Sequence, residues 1–312
     1  IQTIHAFCEA ILHQFPIEAN IPGHFEVMEE TESALLLAEA RRMFVTGSTY
    51  DPTDPERETL TLAFADALTL AGEWGLDALL GEIVAKRDRI RRHLDAVGGL
   101  DEAVIRLRKG LGLKEGDCED TILAGAVDPP GFEERFREAL AEAASRSGKA
   151  TDTKLADKLR LVEAAETVQG RFEALRDIVI KKDGGHYKPS SVATKAVADG
   201  FEDFAERLEE LADFLDSCTE RLATLRLFRA TRAALTVAEK LEEDYQGLKR
   251  KRGRLDFEDL IVRTADLLLR AEASSWVHFK LDQGIDHVLV DEAQDTSPRQ
   301  WEVVRQLVEE FF

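Results

Sequence analysis

Apolar residues recur three and four positions apart along most of the chain, and this spacing predicts a mainly helical protein with short Gly and Pro loops between helices. The clearest run lies between Phe201 and Leu248. There Phe201, Phe204, Leu208, Leu211, Leu215, Cys218, Leu222 and Leu225 form one seam, and Ala234, Ala238, Leu241, Tyr245 and Leu248 resume it after a phase slip. The pattern predicts one long helix or two consecutive ones, and a seam this short in helical surroundings packs within its own chain rather than pairing two copies. Asp54-Pro55 and Pro129-Pro130 have the form of helix starts with Pro near the first helical position. Asp183-Gly184-Gly185-His186 has the composition of an exposed loop.

Only two stretches have strand character. One is Ile1-Gln2-Thr3-Ile4; the other is Ile285-Asp286-His287-Val288-Leu289-Val290, whose aliphatic end suits a parallel strand covered on both faces. They lie at opposite ends of the sequence. Because parallel strands are joined by crossovers, the simplest architecture is a small α/β part, residues 1–25 and 241–312, interrupted by a helical insertion over residues 26–240.

Charge narrows the function classes. With 61 acidic and 41 basic side chains the net charge is −20, which argues against coating nucleic acid by bulk electrostatics and leaves only local basic patches for phosphate. Two such patches occur, Lys86-Arg87-Asp88-Arg89-Ile90-Arg91-Arg92 and Lys249-Arg250-Lys251-Arg252-Gly253-Arg254. The first has the makings of a solvated helix face. For the second, neutralising Lys249 to Arg252 is expected to weaken DNA binding and flatten its salt dependence. No apolar run is long enough for a membrane span, and the first residues lack a signal-peptide pattern. Three widely spaced cysteines, Cys8, Cys118 and Cys218, fit neither a disulfide framework nor a zinc site, so the expected compartment is the reducing cytoplasm.

The sharpest chemical signal is Val288-Leu289-Val290-Asp291-Glu292-Ala293-Gln294-Asp295-Thr296-Ser297-Pro298. An apolar strand ending in adjacent carboxylates places them at the carboxyl edge of a sheet, where open α/β folds bind ligands. VLVDEAQDTSPRQ resembles the Walker B motif of superfamily 1 DNA helicases of the UvrD and Rep type. Ile1-Gln2-Thr3-Ile4-His5-Ala6-Phe7-Cys8 resembles the strand-to-helix TxH motif of that family, and Leu255-Asp256-Phe257-Glu258-Asp259-Leu260 its LDFxDL signature, in family order. The wording TIHAFCEAILHQFPIEA is most similar to the AddA branch, the helicase-nuclease subunits of bacterial AddAB complexes.

The resemblance implies a partial RecA-like P-loop NTPase motor domain interrupted by a 1B-like helical insertion, using ATP and Mg²⁺. It implies that Asp291 helps hold the metal, Glu292 is the catalytic base, Gln294 contacts the nucleotide, and Thr3 and His5 lie on the single-stranded DNA track. The implied partners are single-stranded and duplex-end DNA and an AddB-type subunit, in double-strand break repair and recombination. No GxxxxGK[ST] stands in the sequence, so the chain is expected to be a piece of a longer protein and inactive by itself. Two other functions stay open: a non-catalytic helical DNA- or protein-binding module with a relic DEAQD, and a metal-dependent nuclease using Asp291 and Glu292.

Several motifs also have plain structural explanations. Asp256 and Asp259 have the spacing of a helix N-cap and its N3 acid, with Leu255 and Leu260 as a hydrophobic staple. Ser297-Pro298-Arg299-Gln300 is a capping box with Pro at the first helical position. His5, Cys8 and His13 fall along one helix without a fourth ligand, which argues against a metal site. Gly148-Lys149 and Gly110-Leu111-Gly112 look like phosphate loops but follow helical rather than strand sequence; the first is predicted to be a loop between helices and the second is no dinucleotide fingerprint.

Overall fold

The computed structural model describes residues 2–46, 56–269, 277, 280, 289–290 and 293–308. They form helices α1 (Ile4–Gln14), α2 (Glu30–Thr46), α3 (Glu56–Val97), α4 (Leu100–Gly110), α5 (Glu119–Ala126), α6 (Glu134–Ser147), α7 (Ala150–Ala164), α8 (Val168–Val179), the single turns α9 (Pro189–Val192) and α10 (Lys195–Ala198), α11 (Phe204–Arg252), α12 (Phe257–Leu269) and α13 (Pro298–Val308). Strands β1 (Glu26–Val27) and β2 (Arg254–Leu255) pair in parallel, with Glu26 opposite Arg254 and Val27 opposite Leu255. The chain divides into two compact units, the first of Ile1–Thr61, Glu73–Arg91 and Thr236–Phe312 and the second of Leu62–Gly72 and Arg92–Leu235.

The second unit is built on one helical core. The predicted seam is buried there, with Phe204, Leu208, Leu211, Leu215, Cys218, Leu222 and Leu225 all inside, packed with Leu140, Leu159, Phe172 and Leu175 of α6 to α8. The seam therefore packs within the chain. Gly148 ends α6 in the left-handed conformation (φ 67°) and Lys149 caps α7, so that pair is a helix-to-helix turn and no phosphate loop. Pro129-Pro130 does not start a helix: the chain turns there, Phe132 N–H donating to the Pro129 carbonyl through Gly131 at φ 77°, and α6 begins at Glu134. Buried Arg137 ties that turn to α6, donating to the Phe132 carbonyl (2.9 Å) and to Glu163 of α7 (2.8 Å). Asp183 to His186 form the tip of a small hairpin closed by an Ile180–His186 bridge.

In the first unit α1 and α12 pack through Cys8, Ile11, Leu12, Leu260, Ile261 and Leu268. Of the strand expected at Ile1–Ile4, Ile1 lies outside the described residues and Gln2 to Ile4 form none. Thr3 is an N-cap whose hydroxyl accepts from Ala6 N–H (3.3 Å), and the helix starts at Ile4; no neighbouring strand competes for those backbone groups among the described residues. At the other predicted strand, Ile285 to Val288 lie outside the described residues. Leu289 and Val290 are in no regular structure and Leu289 is 93% exposed.

The link between α11 and α12 carries a buried ion cluster. Gly253, at φ 62°, stops α11 and turns the chain into β2. Asp256 and Asp259 then cap each other's backbone: Asp259 N–H donates to Asp256 Oδ1 (2.9 Å) and Asp256 N–H to Asp259 Oδ2 (3.1 Å). The capping role expected of LDFEDL is what these atoms do. The same two carboxylates receive the ammonium of Lys249, 2% exposed at the side chain, which lies 3.1 Å from Asp256 and is hydrogen-bonded to Asp259 as well. Tyr245 Oη donates to Asp256 (2.9 Å), Gln246 Nε2 to Asp259 (3.3 Å), and Arg87 of α3 approaches Asp256 at 3.4 Å. Burial works to raise the Asp256 carboxyl, but the Lys249 charge and the Asp259 N–H outweigh it and hold the group below the usual carboxylate range. Tyr245 is pushed up, by burial first and then by the Asp256 charge.

Breaking one side of this cluster leaves buried charge uncompensated. Lys249→Met is expected to destabilise the first unit by about 3–5 kcal/mol, read as a lowered urea midpoint. Because the folded Asp256 pKa is depressed, its contribution is present above the unfolded value of about 4 and is lost as pH falls through the folded one. Asp256→Asn should therefore remove part of the acid sensitivity below about pH 4 seen in urea titrations of the unsubstituted chain.

Candidate nucleic-acid interface

Two helices begin side by side in the first unit, and their first turns bring together motifs more than 240 residues apart in sequence. Thr3 is exposed at the cap of α1 and His5 is half-buried in its first turn. The His5 ring stands edge-on to Phe257, the first residue of α12, at 5.4 Å and 74°. Phe257 is 44% exposed. The arrangement offers an aromatic edge and face beside the positive end of α1, a combination suited to a base and its phosphate. Sequence reasoning treated Phe257 only as a letter of LDFEDL. The available signal was a large aromatic between two capping acids, at a position the cap itself turns outward.

Cys8, one turn further along α1, is buried, and burial raises its thiol to about 11, so it acts as a core residue. His13 stacks on Phe25 (4.1 Å, 10°) and approaches Glu9 at 4.0 Å. His5, Cys8 and His13 thus serve separate contacts, and among the described residues no group of three or more His, Cys, Asp or Glu side chains is placed to hold a metal ion.

Of the residues expected at a nucleotide site, Asp291 and Glu292 lie outside the described residues. Gln294 is exposed in the 3₁₀ turn Ala293–Asp295. Behind that turn the expected capping box is formed: Ser297 N–H donates to Gln300 Oε1 (2.8 Å) and Gln300 N–H to Ser297 Oγ (3.3 Å), which starts α13 at Pro298. Val303 anchors α13 in the core and Trp301 stays 41% exposed. The donor types suit Mg²⁺, since two adjacent carboxylates are hard oxygen ligands and the following turn leaves the Gln294 residue open to solvent.

A family model for the UvrD/REP helicase N-terminal domain matches residues 1–311. The chain belongs to the UvrD/REP helicase family. A search of curated proteins gives no match. Membership assigns ATP-dependent DNA helicase chemistry, with Mg²⁺ as the usual companion of ATP and DNA as the partner. No helix among the described residues is long and apolar enough to cross a membrane.

In this UvrD/REP chain the second basic run is not the uniform DNA patch expected from its sequence. Lys249 is buried on Asp256 and Asp259, and Arg252 pairs with Glu39 (2.7 Å), because each faces a carboxylate that folding brings to it. Arg254 pairs with Glu26 (2.6 Å) and Glu32 (3.5 Å). Neutralising Lys249 would thus unsettle the fold rather than read out DNA binding. The first run is likewise spent in part on ion pairs, Lys86 with Glu82 (2.6 Å) and Arg91 with Glu242 (3.2 Å).

If the His5–Phe257 pair receives a base, His5→Ala and Phe257→Ala should each weaken binding of an oligothymidylate by about 1–3 kcal/mol, measured by fluorescence anisotropy, with the thermal midpoint unchanged. Equal affinity in both variants would remove the pair from the interface.

Proposed function

We propose that this chain supplies part of the first motor domain of an ATP-driven translocase that moves on single-stranded DNA and processes double-strand breaks. In this reading residues 1–25 and 241–312 belong to a RecA-like motor and residues 26–240 to a 1B-like helical insertion. The protein is of the AddA type, works beside an AddB-type subunit in the cytoplasm, and engages duplex ends as well as single strands. The single observation that carries the reading is the family match over residues 1–311 with VLVDEAQDT intact inside it. The His5–Phe257 pair supports it by presenting an aromatic surface to solvent, and Gln294 lies on an exposed turn.

The roles follow from chemistry at named atoms. Asp291 offers a carboxylate to Mg²⁺, and the ion when bound neutralises phosphate charge. Glu292 takes a proton from the attacking water, a role that needs an ionised carboxylate one residue beyond the metal ligand. Gln294 reports the nucleotide state through its amide, held on a turn whose position is fixed by the Ser297–Gln300 box and the α13 anchor at Val303. Thr3 and His5 meet the strand that moves.

The test is ATP hydrolysis by the full natural form of the protein, with and without oligothymidylate, against Glu292→Gln. DNA should stimulate turnover, and the substitution should lower it by about a hundredfold or more while leaving nucleotide binding in place. Turnover that is absent in the unsubstituted protein, or indifferent to Glu292, would favour the helical binding module with a relic motif.

A further inference from the structure

A cleft of about 500 Å³ opens in the first unit between the turn that follows α1 and the C-terminal end of α11. Four cations line it, Lys249, Arg250, Arg254 and Arg263, and among the described residues no carboxylate does. In a chain of net charge −20 this is a local reversal of sign. Two of the four are already committed, Lys249 to Asp256 and Asp259, and Arg254 to Glu26 and Glu32. Arg250 and Arg263 have no ion pair or hydrogen bond among the described residues, although Arg263 is half-buried in α12. Arg263 is half-buried and Arg250 exposed, and two guanidinium groups from different helices, neither committed to a carboxylate among the described residues, offer one cleft a charge-assisted grip on an oxyanion. The opposite wall is apolar, formed by Pro16, Ile21, Pro22 and Ile17, the last 88% exposed. Cations facing an apolar shelf match a sugar-phosphate chain better than a free inorganic ion.

We propose that Arg250 and Arg263 hold a backbone phosphate of a DNA strand in this cleft. The site is distinct from the Thr3 and His5 end of α1, because the cleft adjoins the turn after the other end of that helix, about 16 Å away at 1.5 Å per residue. The inference rests on the DNA-binding reading above. It also separates the basic run into members with different tasks: Lys249 builds the fold, Arg252 and Arg254 pair on the surface, and Arg250 meets DNA.

The experiment is a salt titration of oligothymidylate binding to the full natural form of the protein, comparing Arg250→Gln/Arg263→Gln, Arg250→Lys/Arg263→Lys and Arg252→Gln. The glutamine pair should weaken binding about tenfold near 0.1 M salt and lower the slope of log K against log salt by about 0.7 for each phosphate no longer neutralised. The lysine pair, which keeps the charge, should retain the slope, and Arg252→Gln should match the unsubstituted protein. An unchanged slope in the glutamine pair, or an affinity loss shared equally by the lysine pair, overturns the assignment. If the unsubstituted protein binds no oligonucleotide, the DNA-binding reading itself fails and takes this inference with it.

Discussion

The first unit depends on one buried ammonium. Lys249 closes α11 against Asp256 and Asp259, and those two carboxylates are also the caps that start α12. Taking three charges out of water is costly, and the cost is offset only because nearly every lone pair and proton is used: by two backbone N–H groups, by Tyr245, by Gln246 and by Arg87. Such a cluster does more to fix geometry than to add net stability. It sets where α12 begins, and the beginning of α12 decides where Phe257 stands relative to His5.

That dependence explains why a signature with the appearance of active-site chemistry has no free carboxylate in it. Asp256 and Asp259 are buried and spend nearly all their hydrogen-bonding capacity inside the fold, whereas Phe257 and the α1 cap do face solvent. The acids hold the aromatic ring in place. The same economy runs through the surface charge of the first unit. Its acidic side chains pair with many of the basic residues near them, and two that stay unpaired among the described residues, Arg250 and Arg263, meet on one cleft. Local release from ion pairing, rather than bulk charge, is how an acidic chain presents cations to a polyanion.

Much of this was legible in the sequence, and the parts that were not share a cause. The long seam from Phe204 to Leu225, the Asp256–Asp259 and Ser297–Gln300 capping boxes and the Gly148-Lys149 turn between helices are all set by neighbours a few residues away, so spacing reveals them. No strand forms over Gln2 to Ile4 because strand character is a promise of pairing with distant backbone, and Thr3 found a local bond to Ala6 instead. Most of the second expected strand, Ile285 to Val288, lies outside the described residues, as do Asp291 and Glu292. Lys249 in a run of basic residues looked like its neighbours, since nothing local shows that two carboxylates up to ten residues on fold back to bury it. Phe257 was missed because its partner, His5, is at the other end of the sequence.

The central claim is that Lys249 and the two capping aspartates act as one unit, and a double-mutant cycle tests it most directly. Hydrogen exchange of the α12 amides would give the opening free energy of that helix in the unsubstituted chain, in Lys249→Met, in Asp259→Asn and in the pair. The account predicts that the double variant loses clearly less than the sum of the singles, a coupling of about 1–3 kcal/mol, because removing one partner has already stranded the other. Losses that add to within about 0.5 kcal/mol would mean that the three side chains are merely adjacent.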